Sequence, residues 1–272
     1  MTTTLAGKVA VITGASRGIG KQTCLAIAQL GATVVLASRT EEPRDRTPGT
    51  LNETADAIRN AGGEALVVRT DLARQSDLER LISVTLERHG HVDILVNNAA
   101  YTVGKALWAH VPELTREQWE KGFAVNVTAP LVLIEGFWDS MRARGGGVIV
   151  NVTSGAANLR PLDSSVRLPG SELPDQGPLY GASKAALNRM ANAIAGEGAP
   201  HNIAVINLEP GFVLTETMEQ TFNETGVDGA EVGAIPATVP ARAIAYLCTC
   251  DDPMQYSGQI VSAPALMEAL GS

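Results

Sequence analysis

Tyr180-Gly-Ala-Ser-Lys184 sets a phenol and an ammonium four residues apart, which places both on one face of a helix. A free phenol ionises near ~10 and is a poor proton carrier at neutral pH. A neighbouring ammonium favours the phenolate, so Tyr180 is expected to be drawn toward the range of a general acid/base. Alone the pair also reads as an ordinary surface contact on a helix. The second feature is Thr13-Gly-Ala-Ser-Arg-Gly-Ile-Gly20, between an apolar run and a helix-like stretch. That context suits a turn that cradles a dinucleotide pyrophosphate. Gly14 permits the tight exit, Gly18 lets backbone approach phosphate, and Gly20 lets the helix pack on the sheet. Ser16 and Ile19 complete the turn, and the helix N-terminus offers partly positive N–H groups. At the place where an NAD-binding carboxylate belongs, about 20 residues on, stands Ser38-Arg39. Ser38 brings no charge against a 2′-phosphate, and Arg39, with Arg17, suits pairing with one. These residues predict NADP(H) over NAD(H), against the plainer reading of two solvated arginines.

These groups need a scaffold, and the chain alternates strand-length and helix-length segments almost end to end. Val/Ile/Leu-rich runs at Lys8–Thr13, Thr33–Ser38, Ala65–Arg69, Ile94–Val96, Val148–Val152 and Ile203–Leu208, with a shorter one at Gln259–Ser262, have strand length. Runs apolar throughout suit a parallel sheet covered on both faces. Thr54–Asn60, Ser76–Arg88, Glu117–Arg144 and Ser183–Glu197 have helical length and period. The alternation predicts an α/β fold, a doubly wound parallel sheet of the Rossmann type with right-handed crossovers. No repeat or linker appears, so residues 1–272 read as one domain. Two stretches break the rhythm: the charged Thr40–Thr50, and Gly155–Leu179 with four prolines. Loops that long are usually functional or disordered.

Composition narrows the classes. The 272 residues carry a net charge of −8 and only 4% aromatics, with no Lys/Arg run. Nucleic acid and anionic membranes are therefore not expected partners. No apolar stretch is long enough for a spanning helix, and Met1–Lys8 lacks a secretory pattern. Three sparse cysteines, Cys24, Cys248 and Cys250, and four scattered histidines offer no metal-ligand spacing. They read as reduced thiols in a cytoplasmic protein without a metal.

Taken together, the motifs resemble those of the short-chain dehydrogenase/reductase family over nearly the whole chain. Thr13 to Gly20 matches its Thr-Gly-x₃-Gly-x-Gly element, and Tyr180 with Lys184 its Tyr-x₃-Lys. Asp71-Leu72 matches the segment that contacts adenine. Asn97-Asn98-Ala99-Ala100 is similar to Asn-Asn-Ala-Gly, with Ala100 in place of glycine. Asn126 falls at the helix asparagine and Ser154 at the catalytic serine. Pro210-Gly211, followed by Val213 and Thr215, matches the segment flanking the nicotinamide. The resemblance implies a carbonyl/secondary-alcohol oxidoreductase in which Ser154 orients the substrate oxygen and Tyr180 moves the proton. Lys184 would lower the tyrosine's pKa and hold the nicotinamide ribose, and Asn126 would position a relay water. It also implies a homotetramer or dimer built on the helices at Glu117–Arg144 and after Tyr180. Val125, Val127, Leu131, Leu133, Ile134 and Phe137 are compatible with such an interface, although core packing explains most of them.

The chain departs from the pattern at two places. Ser154 and Tyr180 stand 26 residues apart, much farther than in typical members. The insertion carries Arg160, Asp163, Arg167, Glu172 and Asp175, a polar lid or a solvated flap. Arg44 and Arg46 in the long exit from the second strand are within reach of a 2′-phosphate or simply exposed. Residues 211–234 match the family's substrate loop, where Phe212, Val213, Leu214 and Met218 would wall an apolar pocket opposite Tyr101, Val103 and Leu107. The alternative function is a cofactor-binding regulator that has lost turnover, and the intact trio Ser154, Tyr180 and Lys184 argues against it. Reduction of a carbon–carbon double bond is disfavoured by the short Tyr–Lys spacing. The sequence names no substrate.

Overall fold

The computed structural model describes residues 4–43, 48–101, 111–158, 177–216, 218–219 and 233–271. The apolar runs become strands β1 (Val9–Thr13), β2 (Thr33–Ser38), β3 (Ala65–Arg69), β4 (Ile94–Asn97), β5 (Gly147–Val152) and β6 (Ile203–Glu209). Two short strands, β7 (Val213–Leu214) and β8 (Ile235–Pro236), precede β9 (Ile260–Ser262). Seven strands form one sheet in the order β3-β2-β1-β4-β5-β6-β9, every pair parallel. This is the expected doubly wound sheet. Its order reverses between β1 and β4, the position at whose carboxyl end such sheets bind ligands.

Helices α1 (Gly18–Gln29), α2 (Leu51–Asn60), α3 (Gln75–His89), α4 (Arg116–Phe123), α5 (Ala129–Ala143), α6 (Pro178–Gly198), α7 (Thr238–Thr249) and α8 (Ala263–Ala269) cover the sheet. Strand side chains alternate between two cores. Ala10, Ile12, Val34 and Leu36 pack with Cys24 and Ile27 of α1, Leu51 and Ile58 of α2, and Ile244 and Leu247 of α7. Val9, Val11, Val35 and Leu95 pack with Leu78 and Leu81 of α3, Leu133 and Phe137 of α5, and Ala191 of α6. Each large side chain so buried contributes roughly 1.5–3 kcal/mol, and both faces need covering, which is why the strands read as apolar throughout.

Local chemistry sets the boundaries. Thr50 caps α2 in a capping box with Glu53, so that helix starts earlier than its apolar period suggests. Gly90, in the left-handed region, ends α3. The stretch expected as one helix over Glu117–Arg144 is α4 and α5 joined by a π turn at Ala124–Thr128, where the Ala129 N–H donates to the Ala124 carbonyl. Pro130 has no N–H to offer the Asn126 carbonyl four residues before it, so the α-helical ladder is interrupted at Asn126. Helices α7 and α8 and the β7–β8 pair were not read from the sequence. Val103, Leu107, Arg44, Arg46 and residues 159–176 of the insertion, with all five of its charged residues, lie outside the described residues.

Candidate active site

The phosphate-binding turn leaves β1 and enters α1. Gly14 has φ +69°, and its N–H and that of Ala15 donate to the Ala37 carbonyl of β2. A Cβ on Gly14 would lie 2.6 Å from Asn98 Nδ2, and one on Gly20 would overlap the Gly14 carbonyl oxygen. Both glycines are therefore required by close approach. Asn98 Nδ2 donates to the Thr13 carbonyl at 2.8 Å, and the Thr13 hydroxyl accepts from the N–H groups of Asn98 and Ala99 at 3.0 and 3.1 Å. The segment from Asn97 to Ala100 is thereby fastened to the turn. At the middle of the turn, the Gly18 N–H donates to Glu216 Oε2 at 2.8 Å. The turn thus holds an anion of the chain's own, which is the test of fit for a pyrophosphate. Ile19 packs against the core beneath.

Around the end of β2, Ser38 Oγ donates to Ser16 Oγ at 3.1 Å and accepts from the Thr40 N–H at 3.2 Å. The Arg17 guanidinium donates to Thr40 Oγ1 and to the Gly49 carbonyl, at 3.2 and 3.3 Å. Partial burial lowers Arg17 from its ordinary value, Glu216 opposes that shift, and Arg39 adds to it by like-charge repulsion. Arg39 itself is exposed. Asp71 follows β3, where its Oδ1 accepts from the Ala73 N–H at 3.1 Å; Leu72 is buried in the core. Gly211 has φ +81°, and a Cβ there would crowd Ile235 and Pro264 at 3.0 Å. It leads from Pro210 into β7, which carries the buried Val213, and on to Thr215. All of these residues stand at the carboxyl ends of β1–β6.

Ser154, Tyr180, Lys184 and Asn126 come from three elements that meet at the same sheet edge. Ser154 ends the β5 exit, and its Oγ accepts from the Ala156 N–H at 3.2 Å, capping a short turn. Its side chain also lies near enough to that of Tyr180 to favour the phenolate. Lys184 is fully buried, its ammonium donating to the Val152 carbonyl at 2.7 Å and standing 5.8 Å from the centre of the Tyr180 ring. Asn126, in the π turn, accepts from the Tyr101 N–H at 2.7 Å and donates to Ser183 Oγ at 2.9 Å. Ser183 in turn donates to the Tyr180 carbonyl. Ser183 was missed in the sequence, although it stands inside the Tyr-x₃-Lys element.

One expectation needs correction. The Lys184 ammonium does not draw the phenol down in this arrangement. Burial raises Tyr180 above its ordinary value, with the neighbouring Ser154 side chain opposing. The Lys184 ammonium stands 5.8 Å from the centre of the ring and donates to a backbone carbonyl. Burial instead lowers Lys184 to about 8. Among the described residues no group of His, Cys, Asp or Glu could hold a metal ion, and no helix is long and apolar enough to cross a membrane.

The short chain dehydrogenase family profile matches residues 8–226. The chain belongs to the short-chain dehydrogenase/reductase family. Dehydrogenase/reductase SDR family member 4 of Mus musculus is 35% identical over 223 residues, covering 81% of this chain and 71% of the relative. The structure of L-sorbose reductase from Gluconobacter frateurii, complexed with NADPH and L-sorbose, matches with a TM-score of 0.78 at 27% identity, covering 96% of this chain and 97% of that one. A 7α-hydroxysteroid dehydrogenase complexed with NADH and 7-oxo glycochenodeoxycholic acid matches with a TM-score of 0.75, also at 27% identity, covering 96% and 94%. The protein is thus an NAD(P)-dependent oxidoreductase acting on CH–OH groups.

Proposed function

We propose that the enzyme interconverts a carbonyl and a secondary alcohol with NADP(H) as the preferred cofactor, and that Asn126, Ser154, Tyr180 and Lys184 carry the reaction. The observation that carries the chemistry is the meeting of Ser154, Tyr180 and Lys184 at one place, the Ser154 hydroxyl beside the phenol and the Lys184 ammonium 5.8 Å from the centre of its ring. It puts two hydroxyls where one substrate oxygen can accept from both. When bound, the nicotinamide supplies hydride to the carbonyl carbon in reduction, or takes it from the alcohol in oxidation. In reduction Ser154 orients the oxygen and steadies its developing negative charge, while Tyr180 donates its phenolic proton to that oxygen. Burial that raises Tyr180 keeps it protonated, the form that a reductase needs. Lys184 holds the ribose and re-protonates the phenol. The Asn126 carbonyl, which Pro130 deprives of an α-helical donor, is the acceptor we assign to the relay water. The Asn126 side chain positions α6 through Ser183.

The cofactor preference rests on the end of β2. Structural neighbours with NADPH and with NADH share this fold, so the distinction belongs to Ser16, Arg17, Ser38 and Arg39. Two guanidinium groups close enough to repel, one of them on the Thr40 hydroxyl, and no carboxylate at Ser38 suit a 2′-phosphate. Asp71, Leu72, Asn98, Ala99 and Ala100 would bound the adenine and the inner ribose, with Pro210, Gly211, Val213 and Thr215 beside the nicotinamide. A panel of carbonyl compounds with NADPH and NADH run side by side tests both parts. Turnover with NADPH is expected; turnover with NADH alone would overturn the preference and leave the chemistry standing. Cofactor binding with no turnover on any carbonyl would instead favour a regulator.

A further inference from the structure

Helix α1 begins without a side-chain cap and without an acidic residue in its first turn. Its N-terminal N–H, that of Gly18, nevertheless has an anionic partner, Glu216 Oε2 at 2.8 Å, from 198 residues farther along the chain. Thr215 crowds the same spot, since a Cβ on Gly18 would meet Thr215 Cγ2 at 3.1 Å. Glu216 also acts on Arg17, its charge opposing the burial that lowers the guanidinium. The segment that bears it is held at its base. β7 pairs with β8, the Ile235 N–H donates to the Phe212 carbonyl at 2.8 Å, and the Glu219 N–H donates to the Thr215 carbonyl at 2.8 Å.

A dinucleotide pyrophosphate brings negative oxygens to this same turn. A carboxylate and a phosphate oxygen cannot share one N–H, and like charges at such range repel. We propose that Glu216 is an internal stand-in for the cofactor's pyrophosphate, holding the 211–216 segment over the turn until the dinucleotide displaces it. One carboxylate thereby sets cofactor affinity and couples cofactor binding to the position of the segment beside the substrate. This rests on reading the turn as the dinucleotide site.

Equilibrium titration of the wild type, Glu216→Gln and Glu216→Ala with NADPH, NADH and inorganic pyrophosphate tests it. Both variants are expected to bind all three ligands more tightly by a common factor of roughly two to five, the size of a carboxylate's interaction with a helix N-terminus. The unliganded variants should melt slightly below wild type, and the difference should close when NADPH is saturating. A merely structural role would weaken binding, so the direction of the change separates the two. Unchanged or weaker affinity in variants with wild-type circular dichroism overturns the displacement idea and leaves the cofactor site intact. No binding of any of the three ligands to any of the proteins overturns the cofactor reading and this inference with it.

Discussion

At Tyr180 burial and the neighbouring Ser154 side chain compete, and burial prevails, so the phenol stays protonated through neutral pH. Tyr180→Phe keeps the ring and its packing but removes the only proton that this position can donate. Turnover should fall by roughly 100- to 10,000-fold while NADPH titration gives a near wild-type Kd; retained turnover would remove Tyr180 from its role. Lys184 has the opposite balance, an ammonium buried with one backbone acceptor and lowered to about 8. Below pH 8 the folded protein holds a charge that water would solvate better, a cost present in full there. It is relieved as pH rises from about 8 toward the ordinary value of 10.5. Lys184→Met should therefore be inactive yet melt above wild type at pH 7, by at most on the order of 3 kcal/mol, the gap closing between pH 8 and 10.5. In the wild type, carbonyl reduction should decline above about pH 8 as Lys184 loses its proton. A pH–rate profile flat to pH 10 would argue against that assignment.

Among the elements, the sheet is tied at both ends by polar groups with different tasks. At the carboxyl ends, the Thr13 hydroxyl and Asn98 join β1 to the exit of β4 and shape the cofactor turn. At the amino ends the buried Asp93 accepts from the Val9 N–H at 3.0 Å and from the Lys8 ammonium at 2.9 Å, with Arg144 Nε 3.5 Å away. It joins β1, β4 and the link from α5 to β5, far from the chemistry. Asp93→Ala leaves a β1 N–H buried without its acceptor and should lower stability by about 3 kcal/mol. Lys8→Ala removes a half-exposed partner and should cost less than about 1 kcal/mol. Urea-unfolding midpoints of the two variants check the ranking, and equal shifts would contradict it. The π turn is the element-scale counterpart at the active site. An asparagine placed in it holds α6 by its side chain and keeps a carbonyl outside the α-helical ladder, as one uninterrupted helix would not.

For the whole molecule, the exposed large apolar side chains among the described residues fall into two groups, Val111, Trp119 and Leu131 near α4 and α5, and Ile260 and Leu270 near the C-terminus. Val111 is 75% exposed, Leu131 44% and Trp119 38%, whereas Leu133, Ile134 and Phe137 are buried in the core. Of the six residues considered for an interface, three are therefore core residues, and Leu131 is the one left facing outward. We propose that this face joins copies of the chain into a dimer or tetramer. Size exclusion with light scattering should find an oligomer for the wild type and a smaller species for Leu131→Glu. A wild-type monomer at micromolar concentration would contradict it.

The sheet was legible in the chain because a parallel sheet buried on both faces leaves continuous Val/Ile/Leu runs, and period is a local property. The glycine turn and the Tyr-x₃-Lys pair were legible for the same reason, each lying within eight residues of sequence. Three things were decided by tertiary structure. Desolvation of Tyr180 and Lys184 depends on what surrounds them, so the sequence suggested a lowered phenol where burial raises it. The π turn at Asn126 needs Pro130 and the packing of α6 together. The carboxylate on the phosphate-binding turn comes from Glu216, 198 residues away from the glycine it meets. No local spacing encodes a contact of that kind, because only the folded sheet brings the exits of β1 and β6 to the same end.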